Sequence, residues 1–103
     1  MLARIWRGKV LAEKNEAYLQ YLHKTGLQEY QATEGNLGVY ILRRTEAGVT
    51  EFLVISMWES MDAIRRFAGP EPEKPVHYPE DKDFLLEFEP KVVHYEVEAH
   101  PKL

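Results

Sequence analysis

The stretch that most limits what this chain can become is Val49–Gly69, VTEFLVISMWESMDAIRRFAG. Phe52-Leu53-Val54-Ile55-Ser56-Met57-Trp58 is a run of β-branched, aromatic and other apolar residues, the composition of a strand. At Glu59-Ser60 the pattern changes. Met61, Ile64, Phe67 and Ala68 recur at helical spacing, Ser60 stands where an N-cap would, and Gly69-Pro70 ends the pattern. Asp62 in the first turn and Arg65-Arg66 in the last suit the helix dipole. A strand feeding directly into a helix must bury both apolar faces together, so the rest of the chain has to supply strands beside this one.

Met1–Val10 alternates, with Leu2, Arg4, Trp6, Gly8 and Val10 on one side and Ala3, Ile5, Arg7 and Lys9 on the other, which predicts a strand. Leu11–Thr25 is expected to be a helix striped by Leu11, Tyr18, Leu19 and Leu22, with Gly26 as its C′ residue. Leu27–Thr33 follows as a short turn of helix or a loop, anchored by Leu27 and Tyr30. Gly35–Arg44 carries a second strand, Val39-Tyr40-Ile41-Leu42. Thr45-Glu46-Ala47-Gly48 then has hairpin length, so this strand should pair antiparallel with Phe52–Trp58. Pro70, Pro72, Pro75 and Pro79 forbid regular structure. Pro79-Glu80-Asp81 opens one or two helical turns that send Phe84, Leu85 and Phe88 inward, and Pro90 closes them. Lys91–Ala99 is the last strand, with Val93, Tyr95 and Val97 opposite Val92, His94, Glu96 and Glu98.

The order β-α-β-β-α-β, with right-handed crossovers, gives an α+β, ferredoxin-like plan: a four-stranded antiparallel sheet with two helices on one face. The other face is expected to keep Trp6, Tyr40 or Ile41, Phe52 or Leu53, and part of the last strand. An apolar face of that size predicts a homodimer that covers it, sheets face to face or curled into a shared barrel.

Charge and residue usage narrow the function. The 103 residues carry 13 Lys and Arg against 17 Asp and Glu, a net charge of −4, so neither nucleic acid nor an anionic membrane is the expected partner. Cysteine is absent, which removes disulfides, thiolate metal sites and a Cys nucleophile and suits the cytoplasm. Arg4 and Arg7 interrupt the only apolar N-terminal run, so no signal peptide is expected, and no stretch approaches a membrane span. His23, His77, His94 and His100 show no metal-ligand spacing, and there is no nucleotide-binding glycine motif or nucleophile elbow. No metal and no cofactor are expected.

Leu2-Ala3-Arg4-Ile5-Trp6-Arg7-Gly8, Ser56-Met57-Trp58-Glu59-Ser60-Met61-Asp62-Ala63-Ile64-Arg65-Arg66-Phe67-Ala68-Gly69 and Tyr78-Pro79-Glu80-Asp81 together resemble the antibiotic-biosynthesis monooxygenase-like family of the dimeric α/β barrel superfamily. Trp-Glu-Ser and its helix are the most specific part. The resemblance spans nearly the whole chain and implies one domain of this type over residues 1–103, dimerising through its sheet, with a cavity between sheet and helices or inside the barrel. Members include cofactor-free oxygenases of phenols and quinols, haem-degrading enzymes, and proteins without an assigned role. The haem-degrading branch uses an Asn on the first strand, a Trp after the third and a His on the second helix. Trp58 matches the Trp, but Ile5 or Trp6 stands at the Asn position and Met61–Ala68 has no His.

Six residues are candidates for chemistry. His94, mid-strand, could be a general base near pH 7, or an interface histidine held by hydrogen bonds. It points to the dimer or cavity side if Val93, Tyr95 and Val97 pack under the helices. His77, stiffened between Pro75 and Pro79, could be carried on a cavity lid, or lie on a surface loop whose Tyr78 packs inward. Trp58 walls a ligand or plugs the end of the core. Trp6, placed away from the helices, belongs to a dimer core or a cavity wall, as does Tyr40. Arg4 meets an anionic ligand or pairs internally with Glu96. The function expected is a cofactor-independent monooxygenase of a small phenol- or quinol-type aromatic. The alternative is a non-catalytic dimeric small-molecule-binding or stress-related module, and haem binding stands behind both.

Overall fold

The structure is a computed structural model and describes residues 1–101. Its centre is a long antiparallel pair, β1 (Leu2–Leu11) against β3 (Val49–Trp58), in register from Leu2 opposite Trp58 to Leu11 opposite Val49. β2 (Asn36–Glu46) flanks β3 through a two-residue hairpin at Ala47-Gly48. Both residues have positive φ, 52° and 77°, the geometry of the tight turn that matches strand twist.

The free edge of β1 is shared by two short strands. β5 (Val93–Glu96) pairs with Leu2–Ile5, and β4 (Leu85–Phe88) pairs with Gly8–Val10. The sheet therefore has five strands rather than four, and Leu85–Phe88 is a strand where inward helical turns are expected. Only Asp81–Phe84 is helical there (α4). β1 is ten residues long and β5 covers four of them, so the remaining backbone donors and acceptors need a second partner.

α1 (Asn15–Lys24) follows a single 3₁₀ turn at Ala12–Lys14. Gly26 stands at C′ of α1, just past its C-cap Thr25, without a positive φ, and also opens α2 (Gly26–Ala32). It is buried, at ordinary contact distance from Tyr30 and Tyr78. α3 (Met61–Ala68) begins at Ser60, whose hydroxyl accepts from the Ala63 N–H at 3.2 Å, and ends at Gly69 with φ 87°.

α1, α2 and α3 cover one face of the sheet. Beneath them lie Arg4, Trp6 and Val10 of β1 with Thr50, Phe52, Val54, Ser56 and Trp58 of β3, packed on Tyr18, Tyr30, Ile64 and Phe67. Trp6 is thus under the helices, not on the open face. Its indole folds across Gly8, where a Cβ would stand 2.5 Å from the ring. Both sides of β1 are apolar enough to be buried, and volume decides: the indole fills the core, while Ala3 and Ile5 line the other side. The open face carries Tyr40 and Leu53, not Ile41 and Phe52, together with Leu42, Ile55, Met57, Val93 and Tyr95. Val93 and Tyr95 do not pack under the helices, so His94 does. Among the described residues no helix is long and apolar enough to cross a membrane.

Candidate functional site

Arg4 sits on the covered face of β1, opposite Ser56 on one side and His94 on the other. It is 2 % exposed. Its Nη2 donates to the Lys74 carbonyl at 3.0 Å, and its guanidinium lies 5.4 Å from the centre of the Phe67 ring. Its Nε has no hydrogen-bond partner. No ion pair among the described residues includes Arg4, so the expected partnership with Glu96 does not form. Its ionisable neighbours are the phenols Tyr30 and Tyr78 and, on the adjacent strand, His94. Burial pulls its pKa below the ordinary arginine value while those phenols oppose the shift. A guanidinium nonetheless stays charged at neutral pH.

Beside it is a cavity of about 40 Å³. Arg4 and Trp6 of β1, Tyr30 of α2, Phe67 of α3, and Val76 and Tyr78 of the proline-rich segment form half of its wall. That segment is a surface loop whose Val76 and Tyr78 turn inward as the roof of the cavity. Arg4 holds it at the Lys74 carbonyl, and Val92 N–H donates to the Glu73 carbonyl at 2.8 Å. The Tyr78 hydroxyl donates to the Glu29 carboxylate, and the Tyr78 N–H donates to Asp81 at 2.7 Å. Tyr30 stacks on Phe67 at 4.4 Å between centroids. Burial raises its pKa, with Arg4 pulling the other way, so it is a neutral phenol able to donate.

Trp58 is fully buried and does not line the cavity. Its Nε1–H donates to Ser56 Oγ at 2.8 Å, and Ser56 Oγ–H donates to the Arg4 carbonyl at 3.3 Å, so this Trp fastens the backbone that carries Arg4. Tyr40 is 52 % exposed on the open face. His77 is on the outer side of the roof, edge-on to Phe88 and 3.7 Å from the Asp81 carboxylate, facing an open groove. His94 lies under the helices with a buried Nε2 that has no hydrogen-bond partner. Burial first, and then Arg4, hold its pKa below the ordinary histidine value. Neither histidine lines this cavity. Arg4 and Trp6 do, and with them Tyr30, Phe67 and Tyr78, which periodicity alone marks only as packing residues. Among the described residues no three His, Asp or Glu side chains converge to hold a metal.

Residues 1–71 match the antibiotic biosynthesis monooxygenase family. No curated protein matches the chain. Solved structures share its fold at low identity. A Bacillus cereus protein assigned to antibiotic biosynthesis monooxygenases is 16% identical, with TM-score 0.69 over 99% of this chain and 97% of that one. One from Nitrosomonas europaea is 18% identical, with TM-score 0.69 over 96% and 100%. A haem degrader from Mycobacterium tuberculosis, with two haems bound in its active site, is 16% identical, with TM-score 0.69 over 99% and 100%.

Proposed function

Because the chain belongs to the antibiotic biosynthesis monooxygenase family, we propose that it is a cofactor-independent monooxygenase of a small phenol- or quinol-type aromatic, held between sheet and helices. The observation that supports this reading is the partly open, aromatic-walled cavity with a buried cation in its wall. Triplet oxygen reacts with an electron-rich anion and not with a neutral phenol. The chain's task is therefore to ionise the phenol and keep water away. Arg4 favours the phenolate in a low dielectric, and Tyr30 donates a hydrogen bond to it. His94, held neutral, takes the proton through one bridging water, because it does not line the cavity itself. The anion gives one electron to O₂, the resulting radical pair joins to form a C–O bond, and the hydroperoxide loses water. Phenol and O₂ thereby become quinone and H₂O. Trp6 and Phe67 flank the ring.

A space of about 40 Å³ admits the polar head of such a ligand, since one water needs roughly 10–15 Å³ by this measure. Admitting the ring requires the roof at Val76 and Tyr78 to lift, and a haem would require far more. A second reading has support in the positions of the histidines. With neither lining the cavity, the domain would bind a small aromatic without transforming it. In both readings two copies cover each other's open sheet face. The test is oxygen uptake with a panel of phenols and hydroquinones and no added cofactor. Uptake in which one atom of each labelled O₂ enters the product, with no hydrogen peroxide released, supports the oxygenase. No rate above background across the panel, with ligands nonetheless raising the melting temperature, leaves only the binding module.

A further inference from the structure

The geometry points to Arg4 as the anchor for an ionised oxygen, carboxylate or phenolate, on the aromatic that occupies the cavity. This rests on the cavity being the ligand site, and not on oxygenation taking place there.

Arg7, Lys9, Arg43, Arg44, Arg65 and Lys74 each lie within 4 Å of a carboxylate at the surface. Arg4 is buried, where an unpaired charge is most costly, and has no carboxylate. The Glu73 carboxylate acts on His94, yet no acid among the described residues forms an ion pair with Arg4, although the chain carries more acids than bases. Moreover, two buried side-chain nitrogens have no hydrogen-bond partner among the described residues, Arg4 Nε and His94 Nε2. They belong to directly opposed residues on the same face of neighbouring strands. Buried polar groups are almost always paired, so two orphans on opposed residues mark a polar spot whose pairing is incomplete, and of the two residues Arg4 is the one that lines the cavity.

The chemistry of that partner follows from what surrounds it. Arg4 already presents its face to Phe67 and its Nη2 to the Lys74 carbonyl, which leaves its Nε–H and Nη1 groups. An N–H donor on a cation calls for an anionic acceptor. Tyr30, a neutral phenol beside the guanidinium, supplies a second donor. Trp6 and Phe67 supply apolar walls for a ring. Arg4 and Tyr30 are donors on the ligand's polar end, so a neutral alcohol of the same shape gains one ordinary hydrogen bond there and an anion gains charge compensation as well.

The test compares benzoate with benzyl alcohol, and ionised 4-nitrophenol with nitrobenzene, by thermal shift on the full chain. Benzoate and nitrophenolate distinguish a carboxylate site from a phenolate site. We expect at least one anion to bind about tenfold or more tighter than its neutral counterpart. Bound 4-nitrophenol should also show more of its yellow ionised form than the free dye at the same pH. The His94 ring resonances should move toward the protonated position as the anion offsets the charge of Arg4. Arg4→Met should abolish the preference for the anion and Arg4→Lys should keep part of it. Equal binding of anion and neutral isostere, or benzoate binding that survives Arg4→Met, overturns the inference, and so does no binding by any of the four probes. The wild-type comparison stands even if a variant fails to fold. A protein that selects anions through Arg4 but consumes no oxygen leaves this inference intact and removes the oxygenase. Oxygen uptake with no anion preference does the reverse.

Discussion

Arg4→Met should make the protein more stable. The wild-type side chain is 2 % exposed and faces no carboxylate. Moving a guanidinium out of water costs of the order of several kcal/mol even after relaxation. Two contacts offset this. The hydrogen bond from Nη2 to the Lys74 carbonyl contributes about 1.5–3 kcal/mol, as one from a charged donor. The Phe67 ring contributes about 1–2 kcal/mol as a desolvated cation–π partner. A methionine of similar length loses both contacts and leaves the Lys74 carbonyl to find water, which its exposed position allows. In exchange it removes the desolvation cost and adds about 1.5 kcal/mol of apolar burial. The balance favours the variant by about 1–2 kcal/mol, a rise in melting temperature of roughly 5–10 °C for a domain of this size. Thermal melts and urea titrations monitored by circular dichroism measure it, with an unchanged urea slope showing that the same surface unfolds. A loss of 2 kcal/mol or more in a variant with native circular dichroism would refute the reasoning. It would show that the guanidinium is held for structure, and its unpaired Nε would then say nothing about a ligand.

His94 sets an acid limit on stability. Its folded pKa lies below the ordinary 6.5, so the unfolded chain takes up a proton first as the pH falls. Stability from this group is complete above about pH 6.5 and declines below it, as the unfolded state binds the proton that the folded state refuses. Asp81 acts in the opposite sense and at lower pH, because burial raises its carboxyl pKa above 3.8. Melting temperatures between pH 7.5 and 5 should therefore fall less in His94→Gln than in the wild type, and parallel curves would remove this role. On the open face, Tyr95 is 57 % exposed beside Ala3 and Ile5. If two copies cover that face, Tyr95→Asp removes an aromatic anchor about 2 kcal/mol deep from each copy, since a two-fold interface counts every change twice. Dimer dissociation should then weaken about a thousandfold. Sedimentation at micromolar concentration measures it, and a wild-type protein that is monomeric and fully folded there would show that the face needs no cover.

The parts of the fold that could be read from residues alone are those with one local solution. Val49–Ala68 allows only a strand, a serine cap and an amphipathic helix, and all three form where spacing puts them. The Ala47-Gly48 connection is similarly decided within a few residues. Leu85–Phe88 was not legible, because its strand is created by β1. Four residues with apolar groups at positions 85, 86 and 88 suit a helical turn or an edge strand equally well, and the unfilled edge at Gly8–Val10 decides between them.

The site depended on a single choice of phase. Arg4, Trp6 and Val10 share one side of β1, and alternation establishes that they travel together without saying which way they face. Placing them outward makes Trp6 an interface residue and Arg4 a surface cation. Turning the strand over makes the same residues a cavity wall with a charge in it. Likewise, turning β5 moves His94 from the open face to a position opposite Arg4. Hydrophobicity does not settle the phase of β1, where Ala3 and Ile5 alternate with residues as apolar as Trp6, and on β5 it points the wrong way, because Val93 and Tyr95 are more apolar than His94 and Glu96. Arg4 was nevertheless the visible clue. An arginine in phase with Trp6 and Val10 either snorkels out of an apolar face or is buried at a cost, and only a buried arginine calls for a function. With Trp6 folded across Gly8 and Phe67 beneath the guanidinium, Arg4 has no route to water along the strand. The cost of keeping it there is best explained by an anion that the folded chain does not itself supply.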